Sequence, residues 1–581
     1  MKVLIIRFLH LSEKIFDQVN NESLVKCREV SRTWENYLDN QKILQIRMIK
    51  ATVEPVHDIG DAWVRVFDTA TTKTIMDLGQ AIGNFYGKPD LTYHQGLTPL
   101  HVAASVGDLL LFKNIYEKAN DKFPMDTIGW TFLHYPAQNG HSSIFEYIIE
   151  KLDDKNPEDK EGCTPLHMAA IKGHSEVFQY IIKFIKDINP KFKQDRTPLH
   201  MAASIGQLEI CKLIMEKIVN KSPEDDVGDT PFHEAAYHGH LNVCQYIMTH
   251  IKETNLQNFS GRTPLHFAAR EGHVEICKLL IETLVDKSPI DDEGNTPLHR
   301  AVIDGHIQVY QCIMNCVYNK NPRNNVGRTP LHTAANYGHI ELCKLIMNNI
   351  VDKNPKDDIG RTPFHEAAWE GHLHICKYIM SLIEDKNPKM SNGFTPLHLA
   401  AYKGHHDICE FIVKNVKEKN PPDESGYTPL HRAAYGGHVK TYECIMKIVD
   451  VKNPKSSCKN HHTPLHSAAS FGHLDLCKFI MENIGDISTK YNKNPLFSAV
   501  WNGFKAAYKF FFCNVDGKNP KTEDGWTPLH YAANGGHYSV CEYIVENIAD
   551  QNPKRNNGST PLDEARLQNH VQIVELLSKY Q

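Results

Sequence analysis

An all-α solenoid of about fifteen stacked helical pairs is the fold class this sequence predicts, and three observations predict it. The first is a motif, Thr-Pro-Leu-His. It begins at Thr98 and returns at Thr131 (as Thr-Phe-Leu-His), Thr164, Thr197, Thr230, Thr263, Thr296, Thr329, Thr362, Thr395 and Thr428, each step 33 residues long. Steps of 35 and 31 lead through Thr463 to Asn494, and the 33-residue step resumes at Thr527 and Thr560. The second is the punctuation inside each unit. Thr caps a helix, Pro takes its first position, where no N–H is needed, and a Gly such as Gly371 ends it. The third is the stretch after each Gly-His, as in His372 to Ile383, whose apolar spacing fits a second helix with one buried face. No unit can bury that face alone, so only the stack is stable. A chain of 581 residues also exceeds what one compact core supports, roughly 250–300 residues.

At the start, the apolar run Val3 to Leu11 is broken by Arg7 and His10. It falls short of the about 20 apolar residues a membrane span needs and lacks a signal-peptide cleavage pattern, so it reads as the lead-in to a folded helix. Ser23 to Trp34, "SLVKCREVSRTW", resembles the second half of an F-box, with an apolar pair, then Val-Ser-Arg, then Trp. Leu11 and Ser12 with Ile15, Phe16 and Val19 resemble its first helix, although Ser12 replaces the family's Pro and the link between the halves is shorter by about one helical turn. The resemblance implies a small helical F-box-like domain over residues 9–50. Such a domain docks on the adaptor subunit of a cullin-RING ubiquitin ligase through an apolar surface. Leu11, Ile15, Phe16, Val19, Leu24 and Val30 are the candidates for it, with Trp34 packing the helices. The other reading of these residues is a helical cap for the solenoid. Residues 51–90 follow as a linker, with Pro55 and Gly60 marking the break. Ala62 to Asp90 has helix-like periodicity without the motif and is either a degenerate cap repeat or a linker helix.

From residue 91 to residue 581 the units run without interruption. Their Thr-Pro-Leu-His, Ala-Ala and Gly-His elements, followed by an apolar helix, resemble the ankyrin repeat. The resemblance implies helix–loop–helix units joined by β-hairpin turns and stacked into a curved solenoid. Ala pairs such as Ala367 and Ala368 let neighbouring helices approach closely. The family's Gly after the second helix is replaced by an aliphatic residue, as at Ile350, Ile383 and Val416, and Asp-Lys-Asn-Pro or a variant follows. The second helix is therefore expected to run further and to be stopped by Pro. The last unit carries Glu564, Arg566 and Gln568 on its first helix, the polar outer face a terminal repeat needs.

Composition excludes several functions. A net charge of −5 argues against nucleic-acid or anionic-membrane partners. Among the 15 cysteines, Cys211, Cys244, Cys277, Cys343, Cys376, Cys409, Cys477 and Cys541 share one position of the second helix, which reads as reduced core sulfur in a cytoplasmic or nuclear protein. Most of the 34 histidines belong to the repeated frame and are expected to hydrogen-bond the hairpins of adjacent units. Cys458 with His461 and His462 is the single close cluster of metal-ligating types, and it is not expected to bind metal. With no phosphate loop, dinucleotide fingerprint or hydrolase motif, the expectation is no catalytic residue, metal, cofactor or small-molecule ligand.

The units share one frame, so they can be compared with one another. The positions that vary are the hairpin residue before Thr and the two residues between Ala-Ala and Gly-His. In ankyrin folds these line the concave face. Trp130, Trp369, Trp501 and Trp526 lie there, with Tyr237, Tyr337, Phe394, Tyr402, Tyr427, Tyr435 and Phe471, and with Arg196, Arg262, Arg270, Arg328 and Arg361. Trp, Tyr and Arg are the residues of interface hot spots. The expected target-binding set is Trp369, Phe394, Tyr402, Tyr427, Tyr435, Phe471, Trp501, Trp526 and Arg361, within units Thr362 to Thr527. An aromatic after the Ala pair can instead lie flat on the next unit and add only packing. The function expected is a non-catalytic substrate receptor, the F-box holding the ligase adaptor and the groove an unknown target protein. The rival is an ankyrin scaffold unconnected with ubiquitin, whose N-terminus is only a cap.

Overall fold

The computed structural model describes residues 96–107, 109–457, 461–484, 495–514 and 519–580. The F-box-like segment, its six candidate residues and the segment to residue 90 lie outside the described residues. The chain divides into two compact units, Met1–Asp286 and Lys287–Gln581. The first holds helix pairs from Pro99–Val106 and Leu109–Lys118 to Pro264–Glu271 and Val274–Thr283. The second holds pairs from Pro297–Ile303 and Ile307–Met314 to Pro561–Leu567 and Val571–Leu577. Within each, consecutive first helices pack side by side, and the Ala pairs, Ala367 and Ala368 for instance, are fully buried between them.

The unit Pro363–Glu370 and Leu373–Leu382 illustrates why the chain folds this way. Thr362 caps the first helix, and His365, three residues on, completes a capping box by accepting the Thr362 N–H on Nδ1 at 3.1 Å. Gly371 ends the helix with φ 91°, a left-handed conformation that glycine adopts without strain. A Cβ there would lie 2.7 Å from Cε1 of His405, so the position is closed by sterics as well as by backbone angle.

Two expectations are corrected. The turns between units are not β-hairpins: the described residues contain no strand, only isolated bridges such as Met125 to Thr131. The turn keeps a cross-turn main-chain bond, Asp357 N to the Arg361 carbonyl at 2.7 Å, while the aspartate side chain takes the returning amide. Asp357 Oδ1 accepts from Ile359 N at 3.1 Å and Arg361 N at 2.7 Å. One main-chain bond then links neighbouring turn tips, as from Ser391 N to the Ile359 carbonyl at 2.9 Å.

The second helix also does not run on to the proline. It stops at Leu382, and Ile383 turns extended (φ −97°, ψ 150°) to bury its side chain. Lys386 Nζ then donates to the carbonyls of Met380 and, at 2.6 Å, Ile383, covering the helix end with a cation. In the Asp352-Lys353-Asn354-Pro355 copy every polar side chain is used. Asp352 caps the Asn354 N–H, Lys353 covers the carbonyls of Met347 and Ile350, and Asn354 accepts from Phe364 N in the next helix at 3.1 Å.

In the last unit Arg566 and Gln568 are exposed, but Glu564 is not part of an outer polar face. It is buried and bound by Arg555 at 2.7 Å, because the first turn of the helix faces the preceding turn loop. No helix among the described residues is long and apolar enough to cross a membrane.

Candidate protein-binding face

Two sets of histidines fix the backbone under the variable positions. The motif histidines reach forward: His365 Nε2 donates to the Phe394 carbonyl, and His398 Nε2 to the Tyr427 carbonyl, each at 3.1 Å. The Gly-His histidines reach back, to the helix end of the preceding unit rather than to its hairpin. His405, His438, His473 and His537 bind the carbonyls of Trp369, Tyr402, Tyr435 and Trp501 at 2.8–3.0 Å. Both bonds engage main chain only, so side chains at these positions vary without loss of the stack. Burial lowers the pKa of His398 from 6.5 to about 4 and of His365 to about 3, so the motif imidazoles stay neutral and serve as structural bridges. The frame cysteines are buried too, and burial pushes the thiols of Cys211 and Cys541 up to about 12, far from a reactive thiolate.

The structure brings four of the nine expected residues into one row. Trp369 stacks on Tyr402 (ring centres 5.6 Å apart, planes 6° apart), Tyr402 meets Tyr435 at 5.3 Å, and Tyr435 meets Phe471 at 3.9 Å. Trp369, Tyr402 and Tyr435 are half-buried, and Phe471 is 40% exposed. Packing on the next unit and presentation to solvent therefore coexist: each ring lends one surface to its neighbour and keeps another in water.

Phe394 and Tyr427, on successive turns beside the row, share a cation between them. The Arg432 guanidinium lies 4.3 Å from the Phe394 ring and 5.3 Å from that of Tyr427, while Asp423 binds it at 2.5 Å. Trp501 and Trp526 belong to a second cluster around Tyr531, at 5.5 and 4.7 Å, with the Arg555 guanidinium 4.2 Å from the Trp526 ring. Trp501 is 54% exposed. Trp130, in the other compact unit, donates from Nε1 to Asp159 at 3.0 Å.

The arginines behave differently from the aromatics. Arg361 donates to Glu366 at 3.3 Å, and Arg328 binds the same carboxylate oxygen. Asn336 donates to the other oxygen at 3.2 Å, and the Glu366 side chain is only 1% exposed. Arg196 is held by Glu234 at 2.6 Å in the same register, one unit against the next. These guanidiniums are neutralised by the fold. Arg361 is thus held within its own unit, on the carboxylate that Arg328 reaches from the preceding one.

Glu366, Arg432 and Tyr531 stand directly after the motif histidine, a fourth variable position that the sequence comparison passed over. The signal was available: a Glu there pairs with an Arg 38 residues earlier in both Arg196–Glu234 and Arg328–Glu366.

Asp225, Asp229 and Glu234 bring three carboxylates together, and burial raises the pKa of Asp229 and Glu234 above the ordinary range. Arg196 and Asn258 already occupy two of them, so the trio is part of the inter-unit bracing. Cys458 lies outside the described residues, and His462 stacks on His466 at 5.3 Å.

The model of a family described as ankyrin repeats (three copies) matches nine overlapping stretches, from 84–159 to 505–581. Residues 9–50 fall outside these matches. Among curated proteins, none matches the chain.

Proposed function

Because the chain belongs to the ankyrin-repeat family, whose repeats are protein-interaction modules, we propose that it is a non-catalytic adaptor holding a target protein on the aromatic face of units Thr362 to Thr527. The observation that carries this reading is the contrast within that face. The main chain is locked by histidine bonds, the arginines are neutralised internally, and the side chains left facing water include the rings of Trp369, Tyr402, Tyr435, Phe471 and Trp501. Large amphipathic rings on a rigid support lose little conformational entropy on binding and bury much area. Residues 9–50 supply the second half of the proposal: Leu11, Ile15, Phe16, Val19, Leu24 and Val30 dock on the adaptor subunit of a cullin-RING ligase. The chain then acts as a substrate receptor, and its effect on rate is proximity alone.

The test mixes the full chain with purified ligase adaptor and follows co-elution by gel filtration. The expected result is one complex, lost in a chain carrying Leu11→Ala and Phe16→Ala. No co-elution with the unaltered chain leaves a ubiquitin-independent scaffold.

A further inference from the structure

The row of rings constrains the shape of whatever sits on it. It lies within one compact unit, and its first two steps are 5.6 and 5.3 Å, with a tighter last step of 3.9 Å. The main-chain carbonyls of Trp369, Tyr402 and Tyr435 are occupied by His405, His438 and His473. At those three positions a visiting segment meets a backbone acceptor that is already occupied, so an occupant that satisfies its own N–H groups suits the row. An α-helix does this internally, whereas an extended strand needs an edge to pair with. The pitch of an α-helix, about 5.4 Å, matches the first two steps of the row. Same-face side chains on a strand recur at roughly 6.6 Å and a polyproline helix repeats at about 9 Å, so either drifts out of register within two steps.

Charge adds a second constraint. The arginines beside the row, Arg361 and Arg432, are bound by Glu366 and Asp423. Lys403 is exposed, its ammonium sits 4.3 Å from the centre of the Trp369 ring, and it makes no ion pair among the described residues. The exposed Glu370 also lies at this end, next to Trp369, so the acidic group called for on the occupant is one placed at the Lys403 ammonium above the ring.

We infer that the row is the seat of an amphipathic α-helix of the target, about three turns long. It sets one aliphatic side chain per turn against the rings and an acidic side chain beside Lys403. This inference rests on the reading of the face as the target-binding surface.

A phage-displayed library of random 16-residue peptides, selected on the immobilised full chain, tests both. The expected selection has aliphatic residues at i, i+4, i+7 and i+11 and an Asp or Glu at one end. A synthetic peptide of that sequence loses tenfold or more in affinity when a central residue is replaced by Pro, and likewise against Tyr435→Lys. Lys403→Glu, a surface change that leaves the melting temperature where it was, weakens binding several-fold, and exchanging the peptide's acid for Lys restores it. Selected peptides that are proline-rich or alternate in polarity, yet are lost in Tyr435→Lys, overturn the helix and leave the docking face standing. Peptides whose binding ignores Tyr435→Lys and Lys403→Glu, or no enrichment over a chain carrying both changes, overturn the face as well.

Discussion

Lowering the pH from 7.5 to 5 will destabilise the stack through its motif histidines, and His365 shows how much each contributes. Its Nδ1 accepts the Thr362 N–H and its Nε2–H donates to the Phe394 carbonyl, both at 3.1 Å. A second ring proton would face an N–H donor in a buried site. Burial accordingly lowers the pKa of His365 to about 3 and those of His398 and His431 to about 4. Unfolded, the same imidazoles titrate near 6.5. Between the two values the unfolded chain binds protons that the folded chain refuses. Stability is therefore complete above about pH 6.5 and is lost as the pH falls toward the folded pKa. At about 1.4 kcal/mol per pH unit, each such histidine accounts for a loss of about 2 kcal/mol by pH 5. The assay is urea unfolding of the full chain, followed by far-ultraviolet circular dichroism at pH 7.5, 6.5, 5.5 and 5.0, for the wild type and for His365→Gln. The glutamine amide offers a donor and an acceptor but does not titrate. The variant should start less stable at pH 7.5 and lose about 2 kcal/mol less on the way to pH 5. Equal losses in the two proteins would refute the argument that the buried ring is held neutral.

The remaining predictions concern ties between units, one helix end and the thiols. Glu366→Gln removes the shared carboxylate of Arg328 and Arg361, and because both arginines keep some access to water the cost in urea unfolding should be about 2 kcal/mol. Gly371→Ala forces a left-handed alanine against His405 and should lower stability by about 1–2 kcal/mol, measured the same way. Lys386→Met strips the cation from the second-helix carboxyl end and should cost about 1 kcal/mol, read as faster hydrogen exchange at Ile383 and its neighbours. With a maleimide probe on the native chain followed by peptide mass spectrometry, the exposed Cys316 and Cys513 should label well before the buried Cys211, Cys376 and Cys409.

Much of the local structure was legible. Thr362, Pro363 and Gly371 act on their own chain neighbours, so the spacing in sequence is the spacing in space, and the first helices begin and end where the motif puts them. The second-helix ends were misread because the stop is supplied by Lys386, a side chain that folds back on carbonyls six and three residues earlier. Proline marks the linker without forming the cap. The β-hairpin expectation failed for a similar reason: Asp357 takes amides two and four residues ahead on its side chain, and the cross-turn pairing is left as the single main-chain bond from Asp357 N to the Arg361 carbonyl.

By itself the sequence determined the repeat, the starts and stops of the first helices, the aliphatic and cysteine face of each second helix, and the positions free to vary. Those depend on contacts within a few residues along one chain, or on hydrophobic burial common to every unit. Only the tertiary structure decided what the variable residues do. Trp369 and Tyr402 are 33 residues apart and form a stack, Arg328 and Glu366 are 38 apart and cancel, and Lys403 keeps an uncommitted charge above an indole. Whether a ring or a cation stays available depends on which neighbour the adjacent unit brings within about 4–6 Å, and that distance is set by the stacking of the units, not by the residue's own place in its repeat.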